Sequence, residues 1–235
     1  MVTALLTAAG IGSRMHMDIP KQFVHVNNIP LITYTMQKFQ SNPNIDQILV
    51  VTLESWIDVV KAYAAQYKID KLKWVIPGGS TGQESIYKGL KKLEEECSPD
   101  EIVMIHDGNR CMVSSEIISD SLAVFHEKGS AVAAIPCVEA VFRSNDNGLS
   151  SRTSIPREQL FRTQTPHTYT LKKLLWAHQM AKEKNITGSA ATCTLMYELG
   201  EPVYFSKGSE LNLKVTTQDD LKIFEALVNL ENSGK

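Results

Sequence analysis

The sequence predicts an α/β protein with a doubly wound, mostly parallel sheet and a projecting β-arm. Three observations carry this reading. Apolar runs of strand length alternate with segments of helical period as far as residue 138. The first run, VTALLTA at 2–8, shows no polar alternation, as a strand covered on both faces requires. From 139 to about 164 the alternation breaks into a weakly patterned stretch with the turn signal NDNG.

The elements follow in order. PLITYTMQKFQ at 30–40 spaces its apolar residues helically and places Pro30 in the first turn, where a missing N–H is tolerated. QILVVTL at 47–53 is the second strand, and SWIDVVKAYAAQY at 55–67 reads as a helix capped by Ser55. LKWVIP at 72–77 is a strand ending at GGS, and GQESIYKGLKKLEEE at 82–96 is a helix. EIVMIHDG at 101–108 is a strand that ends in a polar cluster. SSEIISDSLAVFHEKG at 114–129 is a helix with Ser114 or Ser115 as cap and Gly129 as terminator. SAVAAIPCV at 130–138 is a further strand. The arm at about 139–164 reads as a hairpin that embraces a second subunit, or as a local flap on a monomer. Residues 170–184 and 190–199 read as helices, 203–208 and 213–217 as strands, and TQDDLKIFEAL opens a last helix. No repeat or linker divides the chain, so 1–235 reads as one domain.

Composition excludes several classes. Net charge is −2 with both signs interspersed, so no basic stripe points to nucleic acid or an anionic membrane. No apolar run reaches the roughly 20 residues of a membrane helix, and the N-terminus reads as a strand instead of a signal peptide. Cys97, Cys111, Cys137 and Cys193 match no zinc spacing and read as free thiols in a reducing, cytoplasmic compartment.

Ligands of open α/β sheets bind beyond the C-terminal strand ends. Polar clusters after Ala8, Pro77 and Ile105 all fall at such ends. The first, AAGIGSR, lacks the third glycine of a dinucleotide fingerprint, and no Walker lysine follows. Its small residues still let backbone N–H groups approach a phosphate. Arg14 and Lys21 stay charged at any physiological pH and suit a polyphosphate. Transfer of a nucleotidyl group needs positioning and charge neutralisation more than a protein nucleophile. No Ser/His/Asp or Cys/His set and no histidine metal spacing is present. Asp107, in IHDGNR, suits a Mg²⁺ ion that borrows phosphate oxygens, or simply caps the next loop. GGSTGQES at 78–85 offers backbone donors and Ser85 to a sugar or base, or is simply a helix start.

Five stretches, TAAGIGSRMHMDIPKQF, GGSTGQESI, IHDGNR, PREQLFRTQTP and LNLKVTTQDDL, occur in this order. Together they resemble the cytidylyltransferases that make CDP-linked polyols, those acting on 2-C-methyl-D-erythritol 4-phosphate and on ribitol 5-phosphate. The resemblance covers essentially the whole chain. It implies a nucleotidyltransferase fold, CTP as substrate, Mg²⁺, release of pyrophosphate and a homodimer. Arg14, Lys21 and Lys214 match catalytic residues. Thr7, Ala8, Ala9, Gly10, Gly12, Gly79, Ser85 and Gly108 match nucleotide-binding positions, and Asp107 matches the metal-associated aspartate. Arg110, Arg157 and Lys214 fall on the acceptor side, with Arg157 supplied by the arm of the other subunit.

Departures from the family pattern cluster around the acceptor. Cys111 replaces a proline, Ala140 follows Glu139 where the family carries a threonine, Gly82 stands for an arginine, and His167 for a glutamine. TGSAA at 187–191 lacks the usual acid. The resemblance with these departures implies a cytidylyltransferase acting on ribitol 5-phosphate or a smaller polyol phosphate such as glycerol phosphate. The alternatives are methylerythritol phosphate as acceptor, or a non-catalytic nucleotide-binding paralogue. A glycosyltransferase would want a DxD metal motif, and an NAD-dependent reductase an acidic ribose reader; neither is present.

Overall fold

A computed structural model describes residues 1–10 and 19–233. Strand β1 (Val2–Ala8) lies inside a seven-stranded sheet, and its residues from Thr3 to Leu6 are buried. A short 3₁₀ segment, Lys21–Phe23, buries Gln22 and Phe23. A two-residue hairpin follows, β2 (His25–Val26) against β3 (Ile29–Pro30). Its turn residues Asn27 and Asn28 have φ of 49° and 63°, the left-handed geometry such turns require. Helix α1 (Leu31–Ser41) starts one residue later than expected, with Pro30 as its extended N-cap instead of in its first turn. Strand β4 (Gln47–Thr52) is buried throughout.

Ser55 is not a helix cap. It lies within a 3₁₀ turn, Glu54–Trp56, and α2 (Ile57–Gln66) begins after Trp56 with no side-chain cap. Strand β5 (Leu72–Pro77) leads into α3 (Gly82–Glu96), where the Thr81 hydroxyl accepts from Glu84 N–H. Strand β6 (Ile102–Asp107) leads to α4 (Ser115–Lys128), capped by Ser114 and ended by Gly129 at φ 81°. Strand β7 (Ala131–Pro136) follows.

The arm holds an antiparallel ribbon, β8 (Val141–Arg143) with β9 (Thr153–Ile155). It ends sooner than the sequence suggests. Residues after Leu160 form β10 (Phe161–Thr170), a ten-residue strand of the main sheet. β10 pairs antiparallel with both β6 and β7, so these two strands are not neighbours. Pro166 cannot donate to a ladder. The register shifts between Thr163 and His167, and Pro166 sits in that irregularity. Helices α5 (Leu171–Glu183) and α6 (Thr192–Glu198), strand β11 (Phe205–Lys207) and helix α7 (Gln218–Ser233) complete the chain. The sheet order is β11-β7-β10-β6-β1-β4-β5, with β10 antiparallel to its neighbours and the other pairs parallel.

Residues 213–217, expected as a strand, form an irregular segment. Its polar groups are met by side chains and turns instead of a ladder. Asn109 Nδ2 donates to Val215 O, and Val215 N–H to Asn109 O at 3.0 Å. Thr216 and Thr217 N–H both donate to Asp220 Oδ2 at 2.8 Å. Two apolar layers flank the sheet. One carries α1, α2 and α4 against residues such as Leu6 and Val50; the other carries α3, α5 and α6 against Leu5 and Val103. A smaller cluster holds α7 through Phe224, Val215 and Leu31.

Candidate active site

A cavity of about 750 Å³ opens at the C-terminal ends of β1, β5 and β6. It takes in all three polar clusters that the alternating pattern places there. Thr7, Ala8, Ala9 and Gly10 line it from β1, Gly79 and Ser85 from the β5–α3 turn, and Asp107 and Arg110 from the end of β6. Lys21 and Lys214 join them. Gly12 and Arg14 lie outside the described residues.

Lys21 is placed by its buried neighbours. Gln22 Nε2 donates to Ala8 O, which ties the 3₁₀ segment to the end of β1. Phe23 stacks on Trp56 with ring centroids 3.9 Å apart. The lysine is thus the outward residue of an anchored turn, facing the cavity.

Asp107 and its partners form the charged end. Arg110 Nε donates to Asp107 Oδ2 at 3.0 Å, and Lys214 Nζ to Oδ1 at 2.8 Å. Burial works against the Asp107 charge, but Lys214 and Arg110 outweigh it and hold the carboxyl well below the usual range. Lys214 comes from the irregular 213–217 segment, not a strand. Val215 bonds to Asn109 as above, Arg110 Nη1 donates to Asn212 O at 2.7 Å, and Asn212 Nδ2 to Thr165 O at 2.9 Å. Thr165, unassigned in the sequence reading although it lies in the quoted RTQTP stretch, also accepts from Asp107 N–H at 3.0 Å and contacts His106 Nδ1 at 3.1 Å.

Two expected residues, Gly108 and Arg157, do not line the cavity, and the Ser85 hydroxyl, which does, is engaged by the protein. Gly108 does not line the cavity; its N–H donates to Thr7 O at 2.9 Å, and a Cβ there would lie 2.9 Å from that same oxygen. It joins β6 to β1 closely, which only glycine allows. The Ser85 hydroxyl accepts from Gly79 N–H at 3.0 Å and donates to Thr81 O at 2.9 Å, so it shapes the loop at the cavity wall. Arg157 does not line this chain's cavity at all. It is exposed on the arm, donating to Val138 O at 2.9 Å.

The wall opposite the glycine turn was not read from sequence. Gln83 Nε2 donates to Ile186 O at 3.1 Å, and Ser189 N–H donates to Gln83 Oε1 at 3.0 Å. This amide fastens the segment before α6 to the start of α3. His167 and His178 lie deeper, and burial pushes both imidazoles down to about 4. Single histidines in a strand and a helix carry no spacing signal.

Asp107 is the only carboxylate lining the cavity among the described residues, and these hold no cluster of three or more metal-ligating side chains. Each of its oxygens accepts one hydrogen bond in the structure and keeps a second lone pair. That donor set fits a Mg²⁺ ion that takes its other ligands from phosphate and water. No helix among the described residues is long and apolar enough to cross a membrane.

Residues 2–230 match the family described as IspD: 2-C-methyl-D-erythritol 4-phosphate cytidylyltransferase. The chain is 42% identical over 228 residues to ribitol-5-phosphate cytidylyltransferase of Lacticaseibacillus paracasei, covering 96% of this chain and 97% of that one. It is 35% identical over 226 residues to 2-C-methyl-D-erythritol 4-phosphate cytidylyltransferase of Clostridium botulinum, covering 96% of each. The solved structure of the Francisella tularensis 2-C-methyl-D-erythritol 4-phosphate cytidylyltransferase superposes with a TM-score of 0.76 at 28% identity, over 94% of this chain and 97% of that one.

Proposed function

Because the chain belongs to the 2-C-methyl-D-erythritol 4-phosphate cytidylyltransferase family, we propose that it transfers CMP from CTP to ribitol 5-phosphate, releasing pyrophosphate. The observation that carries the reading is the Asp107–Arg110–Lys214 cluster lining one cavity together with Lys21 and the residues at the end of β1. Ribitol is favoured over methylerythritol by the 42% and 38% identities to ribitol-5-phosphate enzymes, against 35% to the methylerythritol relative.

The residues divide the work. Backbone groups of the β1 turn and the 79–85 loop receive the nucleotide, with Lys21 beside its triphosphate. Arg110 and Lys214 receive the acceptor phosphate. An ionised phosphate oxygen then attacks the α-phosphorus of CTP, and the bond from that phosphorus to the bridging oxygen of pyrophosphate breaks. The nucleophile is already anionic, so no protein base is needed. Lys21 and Arg14 neutralise the charge that develops on the α-phosphoryl oxygens. Asp107 would hold Mg²⁺, which when bound adds positive charge against the phosphates. Arg157 reaches the acceptor from the arm of a second copy in a homodimer.

Pyrophosphate release from CTP across ribitol 5-phosphate, methylerythritol 4-phosphate and glycerol 3-phosphate tests the reading. Ribitol 5-phosphate should give the highest kcat/KM, and Lys21→Ala should lower it by about 100-fold or more. Silence with every acceptor, or full activity of Lys21→Ala, would refute it.

A further inference from the structure

The cavity is charged at one end only. Lys21, Asp107, Arg110 and Lys214 gather at the ends of β1 and β6, while the floor between α3, α5 and α6 carries no ionised side chain among the described residues. The two deep histidines record this division. His167 feels Asp107, Arg110 and Lys214, whereas His178 feels burial alone. His178 is 8% exposed and stacks on Tyr87 with ring centroids 5.3 Å apart. It lines the cavity, and its ring nitrogens have no hydrogen-bond partner among the described residues.

A polar side chain that lines a cavity and is not engaged by the protein is free to hydrogen-bond what enters it. At neutral pH the buried imidazole is uncharged and offers one donor and one acceptor. A hydroxyl offers the same pair. Thr192 and Thr194 also line the cavity, and the Thr192 hydroxyl is buried without a partner. A phosphate held by Arg110 and Lys214 leaves the rest of its molecule to run over this uncharged floor.

We propose that His178 is a specificity-determining residue that hydrogen-bonds a hydroxyl on the polyol tail of the acceptor. The proposal rests on the polyol phosphate reading above and adds which wall of the cavity reads the chain.

The test compares wild type with His178→Leu, which deletes both ring nitrogens but keeps apolar bulk, and His178→Gln, which keeps a donor and an acceptor. Steady-state kinetics are measured with CTP and the best acceptor varied separately. His178→Leu should raise the acceptor KM about 10- to 100-fold, the loss of one or two hydrogen bonds. The KM for CTP should stay within about twofold and the melting temperature should stay close to that of wild type, because no protein hydrogen bond is lost. His178→Gln should recover most of the acceptor KM. Glycerol 3-phosphate, with its shorter chain, should lose less than ribitol 5-phosphate. As a readout without turnover, acceptor added to ¹⁵N-histidine-labelled wild type with CMP should shift the His178 ring signals. An unchanged acceptor KM, an equal rise for CTP, or unmoved ring signals would overturn the proposal. Wild type that uses no polyol phosphate sinks the proposed function and this proposal together; an active wild type with an indifferent His178→Leu sinks this proposal alone.

Discussion

His106, His167 and His178 are each held neutral by burial, their imidazoles pushed down to about 4. In the unfolded chain the same groups take up protons near pH ~6.5. Between those values the unfolded state binds more protons than the folded one, so stability falls as pH drops from about 6.5 towards 4. Asp107 acts in a lower window: its folded value is depressed, so its contribution is complete above pH ~4 and lost as pH falls further. Urea unfolding at neutral pH and near pH 4.5 should differ by at least about 1–3 kcal/mol for the histidines together. His178→Leu should flatten part of that slope, and a slope indifferent to it would contradict the assigned burial. The charged cluster was legible because Asp107 and Arg110 share one short motif at a strand end. The floor was not, since what distinguishes His178 is the absence of a partner, and only packing reveals that.

Helix α3 shows how an element sets the cavity's depth. Its start lines the cavity, and Gly89 lets its body lie close on the sheet. A Cβ at Gly89 would come within 2.7 Å of Leu5 Cδ1 and 3.1 Å of Val51 Cγ2. Gly89→Val should therefore cost about 1–3 kcal/mol through overpacking, read as a melting temperature lower by roughly 2–10 °C. A melting temperature equal to wild type would mean that the helix can lift without penalty. At this scale most of the fold was readable. β5 and α3 keep the bounds their periodicity gives, since clear turn and cap residues flank them. β10 was missed because its first residues alternate weakly and read as part of the arm, and the irregularity that accommodates Pro166 is set by its neighbours. Residues 213–217 look like a strand because Leu213 and Val215 alternate. Asn109 and Asp220 satisfy its backbone instead, and that depends on residues far away in sequence.

At the scale of the whole molecule the arm at 139–160 stands apart from its own chain's cavity. Val138, Phe142 and Phe161 are each exposed by 45% or more, and Arg157 stands among them away from its own chain's cavity. If the arm serves a neighbouring copy, sedimentation should give twice the 26.2 kDa of one chain. Mixing inactive Lys21→Ala and Arg157→Ala subunits should then restore up to about a quarter of wild-type turnover, since one site in each mixed dimer is intact. No recovery on subunit exchange would place Arg157 in its own chain's chemistry or in none. The topology has a further consequence, for synthesis. β7 pairs only with β10 and β11, so the buried strand at Ala131–Pro136 has no sheet neighbour until residues 161–170 have been made. A nascent chain must carry this apolar strand with both edges open while the arm is still being translated. Truncation before residue 161 would leave those edges to recruit other chains, so the point of greatest aggregation risk lies in the middle of translation.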